Sequence, residues 1–175
     1  KLIWLTLSCH PLALPHHQAY IRPMFDFAPT DTADKATLYA DLLSAADALT
    51  RDEADHVANM ANVAALLWQF LPDLNWAGFY RMVEGELVLG PFQGKPACIR
   101  IPLGRGVCGT AAATGETQLV ADVHAFPGHI ACDAASASEI VVPILIDGAV
   151  VGVLDLDSPR RARFDSDDAR GLQAL

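Results

Sequence analysis

Residues 139–158 read EIVVPILIDGAVVGVLDLDS, two runs rich in β-branched side chains joined by Asp147-Gly148. An Asp-Gly pair accepts the positive backbone angles of a two-residue turn, so the runs are predicted to fold back on each other as an antiparallel hairpin. It is the strongest local hairpin signal in the chain. Strand alternation then puts Asp155 and Asp157 together on the face opposite Leu154 and Leu156. Counting outward from the turn brings Glu139 roughly opposite position 156, next to both aspartates. One end of the hairpin therefore gathers three acids, and bulges decide which face Glu139 uses.

The remaining periodicities fit around this hairpin. TADKATLYADLLSAADALTRD places Leu38, Leu42, Leu43 and Ala46 on one helical face. In EADHVANMANVAALLWQFLPDL the apolar positions Val57, Met60, Ala61, Ala64, Leu67 and Trp68 recur at helical spacing until Pro72 ends the run. WAGFYRM and ELVLGPF read as a second hairpin turning through Glu84-Gly85. ACIRIPL alternates as a strand with Cys98 on the face opposite Ile99 and Ile101, GRGVCGTAAATGE reads as a short helix closed at Gly115, and TQLVADV as a further short strand. FDSDDARGLQAL begins a last helix capped by Asp165 or Ser166. The order predicts an α+β fold, a central and mostly antiparallel sheet flanked by helices. Regularity begins at Thr32, so residues 1–31 read as a poorly ordered extension and 32–175 as one domain.

Bulk properties narrow the function. A chain of 175 residues with 52% hydrophobic content can bury a sizeable core. A formal charge of -9 argues against nucleic acid or an anionic membrane as partner, because both demand clustered cations, and it suits a small zwitterionic or cationic ligand. The apolar run near the start, around Cys9, is too short to span a bilayer. The cysteines at 9, 98, 108 and 132 include no C-x-x-C pair, which weakens a zinc site and a thioredoxin-type motif together. A reduced cytoplasmic protein with individually reactive thiols is the expectation.

Cys132 lies in GHIACDAASASEI, among alanines and serines that leave room around it. An unperturbed thiol is only a few per cent thiolate at neutral pH, so a nucleophile there needs nearby positive charge or amide dipoles. The neighbouring acids oppose ionisation. They make sense if they bind a positively charged substrate and supply a proton, with backbone N–H groups or His129 helping the thiolate. Taken singly, Cys98 and Cys108 read as small buried apolar residues. Together with Cys132 they suit a cycle in which one cysteine is oxidised and another resolves it. A solvated strand end is the bland alternative for the acids, and no strand histidine completes a metal site.

NWAGFY, GPFQGKPACIRIPLGRGVCGTAA, VHAFPGHIACDAASASEIVVPI and GVLDLDSP occur in that order, and from about Leu38 to Leu172 the chain resembles the free methionine-(R)-sulfoxide reductases, which are single GAF domains. The resemblance implies a substrate, free methionine-(R)-sulfoxide, and no cofactor. It implies that Cys132 attacks the sulfoxide sulfur, that Cys98 resolves the resulting sulfenic acid to a disulfide, that Cys108 assists recycling, and that thioredoxin restores the dithiol. Glu139, Asp155 and Asp157 match the family's acids and jointly hold the ammonium group and polarise the sulfoxide. Trp76 and Tyr80, four apart on one strand, match pocket aromatics. Backbone amides around Ile130 and Ala131 would receive the carboxylate. A homodimer is left open. The competing functions are a small-ligand-sensing GAF module without catalysis and a redox-regulated interaction protein, since a fold does not fix a function.

Overall fold

The computed structural model describes residues 26–31, 34–128 and 133–175. Helices α1 (Lys35–Thr50) and α2 (His56–Phe70) precede strands β1 (Trp76–Val83), β2 (Glu86–Gly94) and β3 (Arg100–Pro102). Helix α3 (Gly106–Thr114) and strand β4 (Gln118–Val120) follow, then β5 (Ser138–Ile146), β6 (Ala149–Ser158) and helix α4 (Ser166–Gln173). The six strands form one sheet in the order β3-β2-β1-β6-β5-β4, with every neighbouring pair antiparallel. The α+β architecture expected from the sequence is the one found. Among the described residues no helix is long and apolar enough to cross a membrane.

Local chemistry fixes the element ends. Asp34 and Asp55 cap α1 and α2, each carboxylate accepting two backbone N–H groups of the first turn. Asp165 caps α4 in a reciprocal box with Asp168. Asp147 and Gly148 adopt positive φ angles of 50° and 80°, as a tight turn between two twisted strands requires.

Each strand of the β5–β6 hairpin divides its side chains between two cores. Leu154, Leu156, Ile140 and Val142 join Leu38, Leu42, Leu67 and Phe70 beneath α1, α2 and α4. Val141 and Val153 face the other way, into a cluster with Trp76, Tyr80, Ile101 and Cys108 beneath α3. A fully buried leucine or isoleucine contributes about 1.5–3 kcal/mol, so the helix-covered face supplies the greater part of the fold's stability. The expected face of α2 is rotated. Met60, Val63, Ala64, Leu67 and Phe70 face inward, whereas Val57 and Trp68 are 52% and 42% exposed and Ala61 is exposed too. Several apolar residues lie outside the buried stripe, so composition does not mark its centre.

Two packing details hold the outer helices in place. Asp168, 1% exposed, accepts from the Tyr39 hydroxyl at 2.9 Å and pairs with Lys35 Nζ at 2.6 Å and Arg163 at 3.3 Å, tying α4 to α1. Gly171 on α4 lies directly under the Tyr39 ring, where a Cβ would come within 2.3 Å of it. Gly109 plays a similar part for α3, since a Cβ there would stand 2.5 Å from the Pro102 carbonyl oxygen. That close approach to the end of β3 sets the height at which Cys108 sits over the sheet.

The segment before β3 departs from expectation. ACIRIPL does not alternate as one strand, because its ladder with β2 runs only from Arg100 to Pro102, with one further bond from Leu89 N to the Ile99 carbonyl at 2.9 Å. Ile99 is 71% exposed, while Cys98 packs on the same cluster as the buried Ile101 instead of on the opposite face.

Candidate active site

One irregularity in the β5–β6 hairpin builds the acid cluster. Ile146 pairs with Ala149 and Leu145 with Val150, but Ile144 pairs with Gly152, leaving Val151 as an extra residue on β6. The register beyond the bulge is shifted by one, so Glu139 stands opposite Asp157 instead of position 156. Because strand side chains alternate, that single step turns Glu139 onto the face that carries Asp155 and Asp157. Without it Glu139 would point into the helix-covered core.

Helix α3 closes the cluster from above. Cys108 Sγ donates to Glu139 Oε1 at 3.9 Å, and the ligand atoms of Cys108, Glu139 and Asp155 all lie within 4.8 Å of one another. Glu139 and Asp155 are each only 6% exposed. Asp155 Oδ1 is buried and has no hydrogen-bond partner among the described residues.

Burial dominates the electrostatics. It pushes the Asp155 carboxyl up to about 7, with hydrogen bonds from Cys108 and Glu139 working in the opposite sense. Glu139 is held well above the usual carboxylate range by burial first and then by the charges of Asp155 and Asp157. Asp157 is raised by burial and by Asp155, while a hydrogen bond with Ser136 draws it back. The Cys108 thiol is also pushed up, by burial and then by the acids beneath it. The cluster thus retains protons at neutral pH. It can donate one to a substrate oxygen, or give protons up to a cation placed against the orphaned oxygen of Asp155. The same three ligand atoms would suit a small metal ion as well as an ammonium group.

Aromatic rings form the wall. Trp76 and Tyr80 share the pocket face of β1, as their spacing predicted, and stack with ring centroids 5.8 Å apart. Trp76 also stacks on Phe92 at 5.3 Å and donates its indole N–H to the Lys95 carbonyl at 3.2 Å. Gly78, between the two aromatics, leaves the space they use, for a Cβ there would stand 2.3 Å from that of Phe92 and 2.8 Å from the Trp76 ring. Lys95 and Arg105 line the pocket alongside the acids, and Lys95 Nζ pairs with Asp133 at 3.0 Å.

Glu139, Asp155, Asp157, Trp76, Tyr80 and Cys108 therefore converge on one pocket. Cys98 packs against its aromatic core without lining it. Cys132, Ile130, Ala131 and His129 lie outside the described residues. Sequence reasoning passed over Ser136, Asn75, Lys95 and Asp133. Ser136 sits in the same small-residue tract as Cys132 and Asn75 immediately precedes Trp76, but neither carries a charge or a thiol to announce it.

Comparison with known proteins places the chain among relatives of one family. The GAF domain family matches residues 53–175. The free methionine-R-sulfoxide reductase of Escherichia coli is 54% identical over 142 residues, spanning 81% of this chain and 86% of that protein. The enzyme of the same name from Saccharomyces cerevisiae is 45% identical over 81% of this chain and 83% of its own length. Among solved structures, the free methionine-R-sulfoxide reductase from Neisseria meningitidis in complex with its substrate superposes with a TM-score of 0.75, at 47% identity, covering 86% of this chain and 89% of that one.

Proposed function

The chain belongs to the GAF domain family and, within it, to the free methionine-R-sulfoxide reductases, and from that premise we propose that it reduces free methionine-(R)-sulfoxide to methionine with its own cysteines. The observation that carries the proposal is the convergence of Glu139, Asp155 and Asp157 with Cys108 under an aromatic wall, at the start of the strand that follows the HIACDAAS segment.

The chemistry follows from what each group can do. A sulfoxide becomes electrophilic at sulfur once its oxygen is hydrogen-bonded or protonated, and carboxyls raised towards neutrality are suited to supply that proton. The sulfur of Cys132 attacks, the sulfoxide oxygen passes to it, and methionine leaves with both electrons of the broken S–O bond. Cys132 is then a sulfenic acid. The Cys98 thiol displaces water from it to give a disulfide, and thioredoxin returns both cysteines to thiols while its own dithiol is oxidised. Cys108 serves as the third thiol in this recycling. The acids also neutralise the ammonium group of the amino acid, Trp76 and Tyr80 enclose its thioether end, and the amides near Ile130 and Ala131 take its carboxylate.

The test supplies purified protein with each free sulfoxide epimer, with peptide-bound sulfoxide, and with a thioredoxin system. The reading requires loss of the free R epimer and of no other substrate. Consumption of only the S epimer, or only the peptide-bound form, overturns it. Cys132→Ser must abolish turnover; a protein that merely senses a ligand would keep its binding unchanged and show no turnover at any stage.

A further inference from the structure

Cys108 is a thiol whose surroundings suit a metal ion better than a proton. It lies in the first turn of α3, is 5% exposed, and faces Glu139 of β5 and Asp155 of β6. Among the described residues this is the one group of three His, Cys, Asp or Glu side chains whose ligand atoms, one from each, all lie within 4.8 Å of one another. The sulfur stands 3.9 Å from Glu139 Oε1, and a thiolate and a carboxylate oxygen on one tetrahedral zinc ion stand about 3.5 Å apart. Little movement closes the set.

Buried acids beside a thiol could do no more than share protons, but a second observation points to a ligand. Asp155 is 6% exposed, lines the pocket, and keeps Oδ1 buried with no hydrogen-bond partner among the described residues. Folded proteins rarely leave a buried carboxylate oxygen so. A cation can take it without breaking any hydrogen bond of that atom. The mounting is also rigid, because each ligand comes from a different element held by the fold. Helix α3 is fixed by the Gly104 N–H bond to the Gly109 carbonyl at 2.7 Å and the Arg105 N–H bond to the Pro102 carbonyl at 3.2 Å, while Glu139 and Asp155 sit in ladder positions opposite Asp157 and Gly78.

The donor set selects the class of metal. Magnesium and calcium want six or more oxygens and take a thiolate poorly, whereas zinc, cobalt and cadmium accept one sulfur among oxygens and are content with four ligands. The pocket that these three residues line leaves room for a fourth. On binding, the S–H bond gives way to a sulfur–metal bond and the proton leaves to solvent, while the charges of Glu139 and Asp155 offset that of the cation. Lys95, which also lines the pocket, is already tied to Asp133 at 3.0 Å.

We infer that Cys108, Glu139 and Asp155 form a binding site for a thiophilic divalent cation of the zinc class, in the space that the substrate's ammonium group would use. The metal site stands on these residues alone; only its overlap with substrate rests on the reductase reading. With the cation bound, Cys108 is withdrawn from recycling and the acids from the sulfoxide, so the loaded protein is inhibited.

The test uses the full chain with Cys9, Cys98 and Cys132 changed to serine, which leaves Cys108 as its one thiol, reduced and freed of metal by a chelator. Cadmium chloride is titrated in, and the ultraviolet charge-transfer band of a cadmium thiolate is followed. The expected result is saturation at one cadmium per chain, with a dissociation constant roughly micromolar or below. Cys108→Ser removes the band. Glu139→Gln and Asp155→Asn keep the thiol and each weaken binding roughly tenfold or more, since even groups that only support a ligand are worth that much; either variant serves should the other fail to fold. Free methionine, the product of the proposed reduction, raises the apparent dissociation constant of cadmium roughly tenfold when present at about ten times its own, and alanine, which chelates cadmium in solution alike, does not. Absence of the band, or a midpoint that neither acid variant moves, overturns the site. Cadmium binding that methionine leaves untouched overturns the overlap with substrate. Binding through all three residues, in a protein whose metal-free wild type reduces no sulfoxide, sustains the metal site and overturns the reductase reading instead.

Discussion

Asp155 carries the clearest conflict between stability and use. Its folded-state pKa of about 7 lies above the ordinary 3.8, so the folded protein binds more protons than the unfolded chain between those values. Stability contributed by this group is complete below about pH 4 and is lost as pH rises through about 7, with no further loss above. The gap corresponds to at most about 4 kcal/mol, shared with Glu139 and Asp157, to which Asp155 is coupled. Asp155→Asn is therefore expected to raise stability at pH 8 by about 1–3 kcal/mol, to flatten the change in stability between pH 4 and 7, and to cut kcat/KM by roughly 10²-fold or more. Thermal melts of both proteins at pH 5 and pH 8, beside turnover, check all three. At this scale the sequence was half legible. Alternation paired the two aspartates correctly, but the face of Glu139 hinged on Val151, and a bulge leaves no mark in a run of valines.

Among the elements, α4 depends on contacts that its own composition does not advertise. An alanine in place of an exposed helical glycine normally gains up to about 1 kcal/mol. At Gly171 the added methyl meets the Tyr39 ring, which is fixed by its hydroxyl's bond to the buried Asp168. Gly171→Ala is expected to lose about 1–3 kcal/mol in urea unfolding, with kcat and KM unaltered, because the clash lies on the sheet face away from the pocket. Strong periodicity and turn chemistry identified the helices and both hairpins from the chain alone, and narrowed the cap of α4 to Asp165 or Ser166, of which the structure uses Asp165. The reading failed where a tertiary preference outweighed a local one. On α2 the buried stripe skips Val57 and Trp68, and before β3 the chain leaves the regular ladder, so that Cys98 and Ile101 share a core. The company of Cys98 and Cys132 made Cys108 a candidate, yet only the approach of α3 through Gly109 shows that its thiol meets Glu139.

For the molecule as a whole, one sheet serves two cores, so neither layer can be lost while the other stays folded. Tryptophan fluorescence of a Trp4→Phe/Trp68→Phe variant, in which Trp76 alone reports the pocket side, and far-ultraviolet circular dichroism, which reports mainly the helices, are expected to give one denaturation midpoint within error. Separated midpoints would mean that the α3 face melts by itself. The alternation of β5 and β6 has a further bearing on how such a chain tolerates change. Alternate residues there anchor the helical layer, and those between include Glu139, Asp155 and Asp157, acids whose burial opposes folding, so both loads are carried by the same backbone. A lineage that ceased to need the chemistry could relax the acids and absorb otherwise ruinous substitutions in α1 or α2; one that keeps it must hold its helices to a stricter standard.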